Sequence, residues 1–463
     1  MKKTILLSLI SSFYFLAFLY ADASDYMQGS SAGWKAGVAR VVITPEQSMW
    51  MAGYAARDHA SEGTLVDLWA KTLVLEDAYG KQAVVITTDL IGFPKDISDR
   101  IKDRLKAKFG LSRSQIILNS SHTHSGPVLQ PDIYPLDSFQ LKKVEQYCDN
   151  LDDQIVNLVG KALHSLEPVH LYSQNGITRF QVNRRNNIEA KLNPQTELKG
   201  PNDYAVPVIK VVNMAGNLMA VAFGYACHNT VLEIYKWSGD YAGFAQIELE
   251  KLHPGITALF LQGAGADQNP LPRGTVPLAQ QYGRELAAAV ERVLNEEMRQ
   301  LFPQLSTEYS EVDLQFANPP PTKEKLSQIM EASFNYPDYL KRNAKVLLEK
   351  IEHGDSLMTS YPYPVQVWKL GDQLIISLAG EPVIEYAIKL KKTFGQDIFV
   401  LGYSNDVMSY IPSTMELKEG GYEGSRSVIF TTPWVSNIEM VIIQEVMRLA
   451  EKAGVKNTNT HEN

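Results

Sequence analysis

Five places along the chain deliver ligand-type side chains at the end of a strand-like apolar run. Gln115-Ile-Ile-Leu118 leads into Asn119-Ser-Ser-His122-Thr-His124-Ser-Gly-Pro127. Val221-Ala-Phe-Gly-Tyr225 leads into Ala226-Cys227-His228-Asn229. Leu259-Phe-Leu261 leads into Gln262-Gly-Ala-Gly-Ala-Asp267-Gln268-Asn269-Pro270. Ile375-Ile-Ser-Leu378 leads into Ala379-Gly380-Glu381-Pro382, and Ile398-Phe-Val-Leu401 into Gly402-Tyr-Ser-Asn-Asp406 and then Tyr410. In α/β proteins this end of the strands is where sites assemble. Imidazole and carboxylate together suit zinc, and three protein ligands leave a catalytic ion one position for water. His122, His228 and Glu381 can supply the three. On an extended His-x-His segment the two side chains point to opposite faces. Unless the backbone turns there, one of His122 and His124 binds metal and the other orients substrate.

Each residue also has a plainer reading. A single His after a strand is more often a hydrogen-bonded polar residue than a ligand. Glu381 could be a charge at a helix N-terminus, stabilised by the dipole. The Gly263–Gly265 stretch could be a tight turn or an anion-binding nest, and it lacks the spacing of a nucleotide loop. His59, His164, His170, His253, His353 and His461 fall outside strand ends and read as surface or core residues.

The elements that must position these residues alternate between strand and helix patterns. Strands are expected at Ala83–Thr88, Gln115–Leu118, Ile256–Leu261 and Ile398–Leu401. Hairpins are expected where Val206–Val212 meets Leu218–Tyr225, and where Val365–Leu370 meets Gln373–Leu378 across Gly371-Asp372. Helices are expected over Asp96–Phe109 (stopped by Gly110), Phe139–Leu166 (broken at most once), Leu278–Met298 and Val435–Ala453, with another opened by Pro382. The pattern implies an α/β protein: mixed β-sheets flanked by helices, in one large domain over residues 24–455.

The 463 residues carry a net charge of −8, with 45% hydrophobic and 21% charged residues, which is ordinary for a globular chain. No basic run points to nucleic acid. Lys2 and Lys3, the uncharged stretch Thr4–Tyr20 and Ala21-Asp22-Ala23 read as a signal peptide over residues 1–23. Export to a periplasm or to the medium follows. Residues 456–463 read as a disordered tail. Two cysteines, Cys148 and Cys227, are compatible with a disulfide or with two thiols.

Taken together, these segments resemble the neutral (alkaline, non-lysosomal) ceramidases over roughly Ala36 to Glu451. Gly37-Val-Ala-Arg-Val-Val-Ile-Thr-Pro45, Met51-Ala-Gly-Tyr54, His122-Thr-His-Ser-Gly-Pro127, Ser238-Gly-Asp240-Tyr-Ala-Gly243 and Tyr422-Glu-Gly424 occur in the family's order. The resemblance implies one zinc ion held by His122, His228, Glu381 and Tyr410, and substrate contacts from His124, Arg184 and Tyr422. It implies hydrolysis of a lipid-like N-acyl amide, with transient contact at a membrane surface and no obligate protein partner. Two departures stand out. Gln268 falls where the family carries a serine in Gly-Asp-x-Ser-Pro-Asn, and the chain ends where a C-terminal β-sandwich domain would begin. The alternatives are an exported metal-containing lipid- or glycan-binding protein without turnover, and a hydrolase of a different N-acyl amide.

Overall fold

The computed structural model describes residues 33–193, 195–332, 338–426 and 432–455. The expected signal peptide and the expected tail lie outside these residues.

Eight strands form the body of a large mixed sheet: β1 (Trp34–Val42), β2 (Trp69–Glu76), β3 (Gln82–Thr88), β4 (Ile116–Ser120), β5 (Glu167–Ile177), β6 (Ala205–Asn213), β7 (Leu218–Tyr225) and β8 (Thr257–Gln262). Their order is β8-β7-β6-β5-β1-β2-β3-β4, with the short strand Arg299–Gln300 added beside β5. The outermost pairs, β7 with β8 and β3 with β4, are parallel. The pairs between them are antiparallel. A second sheet holds β9 (Leu305–Gln315), β10 (Ser360–Leu370), β11 (Gln373–Leu378) and β12 (Phe399–Leu401) in sequence order, with only β11 and β12 parallel.

Alternation along the strands explains how the sheets stack. Leu73 and Leu75 of β2, Ala220 and Ala222 of β7, and Trp368 and Leu370 of β10 share one core between the sheets. Their neighbours turn outward. Val74 of β2 packs with Ile101 and Leu105 of α1 (Lys95–Phe109) and Leu151 of α2 (Ser138–His164). Phe223 of β7 packs with Leu249 of α3 (Asp240–Leu252) and Leu286 of α4 (Val276–Leu294). Behind the second sheet, Val367 and Ile376 meet Leu390 of α7 (Ile384–Phe394) and Ile442 of α8 (Ile438–Lys452). The result is helix, sheet, sheet, helix, and strands covered on both faces read as continuous apolar runs. A separate helical hairpin, α5 (Lys323–Glu331) and α6 (Asp338–Glu352), has its own small core at Leu326, Ile329 and Ala344.

The expected strands, hairpins and long helices are present, with ends shifted by a few residues. Helix α1 stops at Gly110, whose φ of 73° needs no Cβ. Helix α2 is unbroken, capped by the Asp137 carboxylate accepting from the Gln140 amide. One expectation fails. Pro382 does not open a helix, because its backbone belongs to the two-residue strand Glu381–Pro382, which pairs in parallel with Tyr410–Ile411. Helix α7 begins after it, at Ile384. The sequence patterns did not mark β1, β2, β5, β9 or the helices α3, α5 and α6.

The large sheet curls until its two edges meet. Asn119 of β4 accepts from the Gln262 backbone N–H of β8 at 2.8 Å through Oδ1. Its amide nitrogen donates to Gly402 O at 2.9 Å and Ser404 Oγ at 3.0 Å, just past β12. The carboxyl ends of β4, β8 and β12 are thereby fastened at one place.

Candidate metal centre and the cleft beside it

Beyond β4, the backbone of Ser121 donates to Thr88 O and that of His122 to Leu90 O. His122 then adopts φ 61°, a left-handed conformation that is unfavourable for a residue with a Cβ. This turn answers the question left open by the His-x-His spacing. Both imidazoles face the same space, with Nε2 of His122 and Nε2 of His124 3.3 Å apart. His122 Nδ1 lies 2.6 Å from Ile91 O, so the proton belongs there and Nε2 presents its lone pair.

His228 follows β7 in a segment on which the Gly263–Gly265 stretch packs directly. A Cβ on Gly265 would fall 2.2 Å from Ala226 O, which is why glycine stands there rather than for an anion nest. The His228 backbone N–H donates to Gln268 O, and Nδ1 lies 3.3 Å from Gly265 O. Asn229 ties the same segment to the other edge of the sheet, donating to Ser121 O at 2.5 Å and Gln262 Oε1 at 3.0 Å.

Glu381 and Tyr410 are direct partners in their parallel bridge. Glu381 Oε2 lies 3.2 Å from His122 Nε2 and 3.4 Å from His228 Nε2. The Tyr410 hydroxyl lies 3.5 Å from His228 Nε2. The structure therefore brings His122, His228, Glu381 and Tyr410 to one point, with His124 beside them. Ligand atoms of the three histidines all lie within 4.8 Å of one another.

The electrostatics suit a cation. Burial pulls His228 down to about 4, with Arg184 acting in the same direction. Burial, then the other two histidines, hold His124 well below its ordinary value. Neutral imidazoles are what a metal requires. Burial opposes ionisation of Glu381, but positive charge at the His122 and His228 nitrogens outweighs it and holds the carboxyl well below the usual range; with the imidazoles neutral, a cation between them would supply that charge. Glu381 Oε2 is shielded from solvent and has no hydrogen-bond partner. A buried, ionised, unsatisfied oxygen facing two nitrogen lone pairs fits a divalent cation.

Arg184 stands over this group. Its Nη2 donates to the Tyr410 hydroxyl at 3.0 Å and its Nε to Glu423 Oε1 at 2.8 Å. Burial disfavours its charge, but Tyr410 and Glu423 raise its pKa well above the ordinary value. Arg185 turns away to Glu416, Glu419 and Glu423. Tyr422 is half exposed, its ring 5.3 Å from that of Tyr410. Two cavities meet here. One of about 190 Å³ is walled by Trp50, Tyr54, Ile91, Tyr134, Val407 and Met408. The other, about 790 Å³ and more polar, includes Arg184, Arg185, Asn269 and Arg273. His124, Tyr410 and Tyr422 border both.

A sequence profile described as "Neutral/alkaline non-lysosomal ceramidase, N-terminal" matches residues 34–264. The chain belongs to this family. Neutral ceramidase A of Dictyostelium discoideum is 27% identical over 241 residues, covering 48% of this chain and 34% of that protein. The neutral ceramidase of Pseudomonas aeruginosa is 26% identical over 246 residues, covering 50% and 36%. The chain thus matches about a third of the length of these curated relatives. The crystal structure of neutral ceramidase from Pseudomonas aeruginosa superposes with a TM-score of 0.71 at 19% identity, covering 94% of this chain and 77% of that one, which establishes the shared fold.

In this ceramidase-family chain the structure does not bring Gln268 to the site. Gln268 belongs to the short strand Gln268–Pro270, paired with Gln181–Asn183. Its side chain turns inward, donating to Asp267 Oδ2 at 3.0 Å and Pro201 O at 3.2 Å. Strand alternation aims the next residue, Asn269, at the polar cavity, where its Oδ1 lies 3.4 Å from Arg184 Nη1. With Asn269 set against the family's serine, Asp267 and Pro270 also fall on the motif's Asp and Pro. The sequence signal for this correction was present in those two flanking residues.

Asp267, the two cysteines and His59 have structural roles. Asp267 Oδ1 accepts from the Ile384 N–H and so caps α7. Its proximity to Glu385 and Glu416 makes a second group of carboxylates. Cys148 and Cys227 are both buried and unlinked. His59 pairs with Asp58 and Glu62 at the surface.

Proposed function

We propose that the chain is a zinc-dependent amidase of ceramidase type, splitting an N-acyl amide with water into a carboxylic acid and an amine. Support comes from one observation above the rest: the unsatisfied Glu381 carboxylate meeting the lone pairs of His122 and His228, with the Tyr410 hydroxyl adjacent, at the floor of a cleft. A zinc ion held by these four would supply Lewis acidity, lowering the pKa of water toward ~7 and polarising a carbonyl.

The remaining groups divide the work. Arg184, kept charged and fixed by Glu423, is a preorganised donor for the oxyanion that develops on the amide carbonyl. Tyr422, beside it at the cavity border, is a second donor or a positioning group. His124 is neutral and half-buried, its Nδ1 shielded from solvent and without a partner. It can accept a proton as water attacks and pass one to the leaving amine. No residue at the place of the family's serine carries a nucleophilic hydroxyl, so water is the nucleophile. Among the described residues no helix is long and apolar enough to cross a membrane. Residues 1–23 carry the further proposal that the chain is exported.

The test is metal content and turnover together. The purified chain should bind one zinc per molecule and release the acid from at least one member of a panel of fluorescent N-acyl amides that includes N-acylsphingosine. Chelator should stop the release, and zinc should restore it. His122→Ala should lose both ion and activity. Full zinc stoichiometry in that variant would refute the ligand assignment.

A further inference from the structure

The smaller cavity is lined by two arginines that have no ion-pair partner among the described residues. Arg57 is 6% exposed. Its Nη1 donates to Ile234 O and its Nη2 to His124 O, both at 2.9 Å. Its Nε is shielded from solvent and has no partner. Tyr54 and Tyr235 flank the guanidinium at 5.3 and 5.0 Å. Arg342, half-buried on α6, donates from Nε to Ile133 O at 2.9 Å, which leaves its two Nη groups without a protein acceptor among the described residues. Asp338 is the carboxylate nearest in influence, and it pairs with Lys341 instead. Neither arginine forms an ion pair among the described residues. In the larger cavity every arginine does: Arg184 with Glu423, Arg185 with three glutamates, Arg273 with Glu189.

A buried guanidinium is normally paired, because removing charge from water is expensive. Arg57 is buried in this way, and the half-buried Arg342 adds a second unpaired guanidinium on the same small cavity, so that the two together mark a place for an anion. The cavity volume limits its size. A cavity of about 150 Å³ accepts benzene, so about 190 Å³ holds roughly six to eight non-hydrogen atoms. Arginine's planar fork matches a carboxylate in two parallel hydrogen bonds.

We propose that the part of the substrate seated in this cavity is short and carries a carboxylate, recognised by Arg342 and held in the field of Arg57. The substrate class is then an amide with a compact acidic group on one side and a larger polar group on the other. This rests on the amidase reading and narrows it away from amides with long alkyl chains on both sides.

The test uses the zinc-loaded full chain and two pairs of amides. In the first pair the acid is on the acyl side: N-glutaryl p-nitroanilide against its methyl ester. In the second it is on the amine side: N-hexanoyl-β-alanine against its methyl ester. A free-acid preference in kcat/KM of about 10-fold or more in either pair is expected, from the strength of a charge-assisted contact. The pair that shows it tells which side enters the cavity. Arg342→Gln should bring that ratio close to one, and Arg342→Lys should retain part of it. Ratios near one in both pairs, or a preference that survives Arg342→Gln, overturn the proposal while leaving the amidase reading intact. If no amide is cleaved, the amidase reading fails, and calorimetry decides the proposal separately. Monomethyl glutarate should then bind more tightly than dimethyl glutarate, which has no free carboxylate, and Arg342→Gln should abolish the difference. Equal binding of the two by the native chain overturns it.

Discussion

At the scale of single residues, the centre depends on a conformation that spacing alone leaves undetermined. Two histidines separated by one residue face opposite ways on a strand, and only the left-handed turn at His122 makes them converge. The two histidines and Glu381 were legible because each follows an apolar run, whereas Tyr410 came only with the family resemblance. The choice between Gln268 and Asn269 could be read from the flanking Asp267 and Pro270, and strand alternation agrees with it by turning Gln268 into the interior and Asn269 toward the cavity. Gln268→Ser should therefore bring no gain in turnover, and it should lower stability by about 1–3 kcal/mol through lost buried contacts. Asn269→Ala should instead lower kcat/KM. Kinetics and urea titration of both variants check this pair. Arg184→Gln should reduce kcat by about 10²–10³-fold with little change in KM, since a donor to developing charge acts in the transition state. Arg184→Lys should not restore it, because lysine cannot serve Tyr410 and Glu423 together. A rise in KM at unchanged kcat would assign Arg184 to substrate binding alone.

At the scale of elements, pairing does what side-chain pattern cannot announce. Glu381 and Tyr410 are neighbours because two short segments bridge in parallel, and two-residue strands leave no periodicity to read. Strands β1 and β9 were missed because their exposed positions interrupt the apolar run. Asn119 is the fastening between sheet edges, and its removal leaves several buried backbone groups unpaired. Asn119→Ala should cost about 2–5 kcal/mol in urea unfolding. A loss below about 0.5 kcal/mol, typical of surface changes, would mean the edges are held by other contacts. Helix α1 brings a different liability. Lys102 is buried against the second sheet, its Nζ 5.8 Å from the Tyr309 ring centre, and burial pulls it down to about 7. In the unfolded chain lysine titrates near 10.4, so between pH 7 and that value the unfolded state binds more protons. Stability therefore rises with pH across that window. Relative to Lys102→Met, the native chain should gain about 2–3 kcal/mol between pH 7 and 9. A constant difference across that range would place the ammonium in water.

At the scale of the molecule, the layered α/β architecture was legible from alternating strand and helix signals, and the curl of the sheet was not. Curl comes from contacts between residues far apart in sequence, such as Asn119 with Gln262 and Asn229 with Ser121. The cation should stabilise the whole, because its donors come from both sheets. At a thousandfold excess over its dissociation constant, a ligand specific to the folded state adds about 4 kcal/mol. Chelation should thus lower the melting temperature, and zinc should return it. An unchanged melting curve after verified removal of the ion would show that it binds the folded chain no more tightly than the unfolded one.

The fastening of the two sheet edges also sets an order of events during biosynthesis. His122 leaves the ribosome long before Glu381 and Tyr410, and neither can take its place until β11 and β12 lie against the first sheet. A nascent chain halted before residue 381 has both imidazoles and three strands of the second sheet, but it lacks β12 and both oxygen donors. Ion capture then reports that the last third of the polypeptide has docked, so zinc uptake by ribosome-released chains of increasing length should switch on abruptly rather than grow in steps.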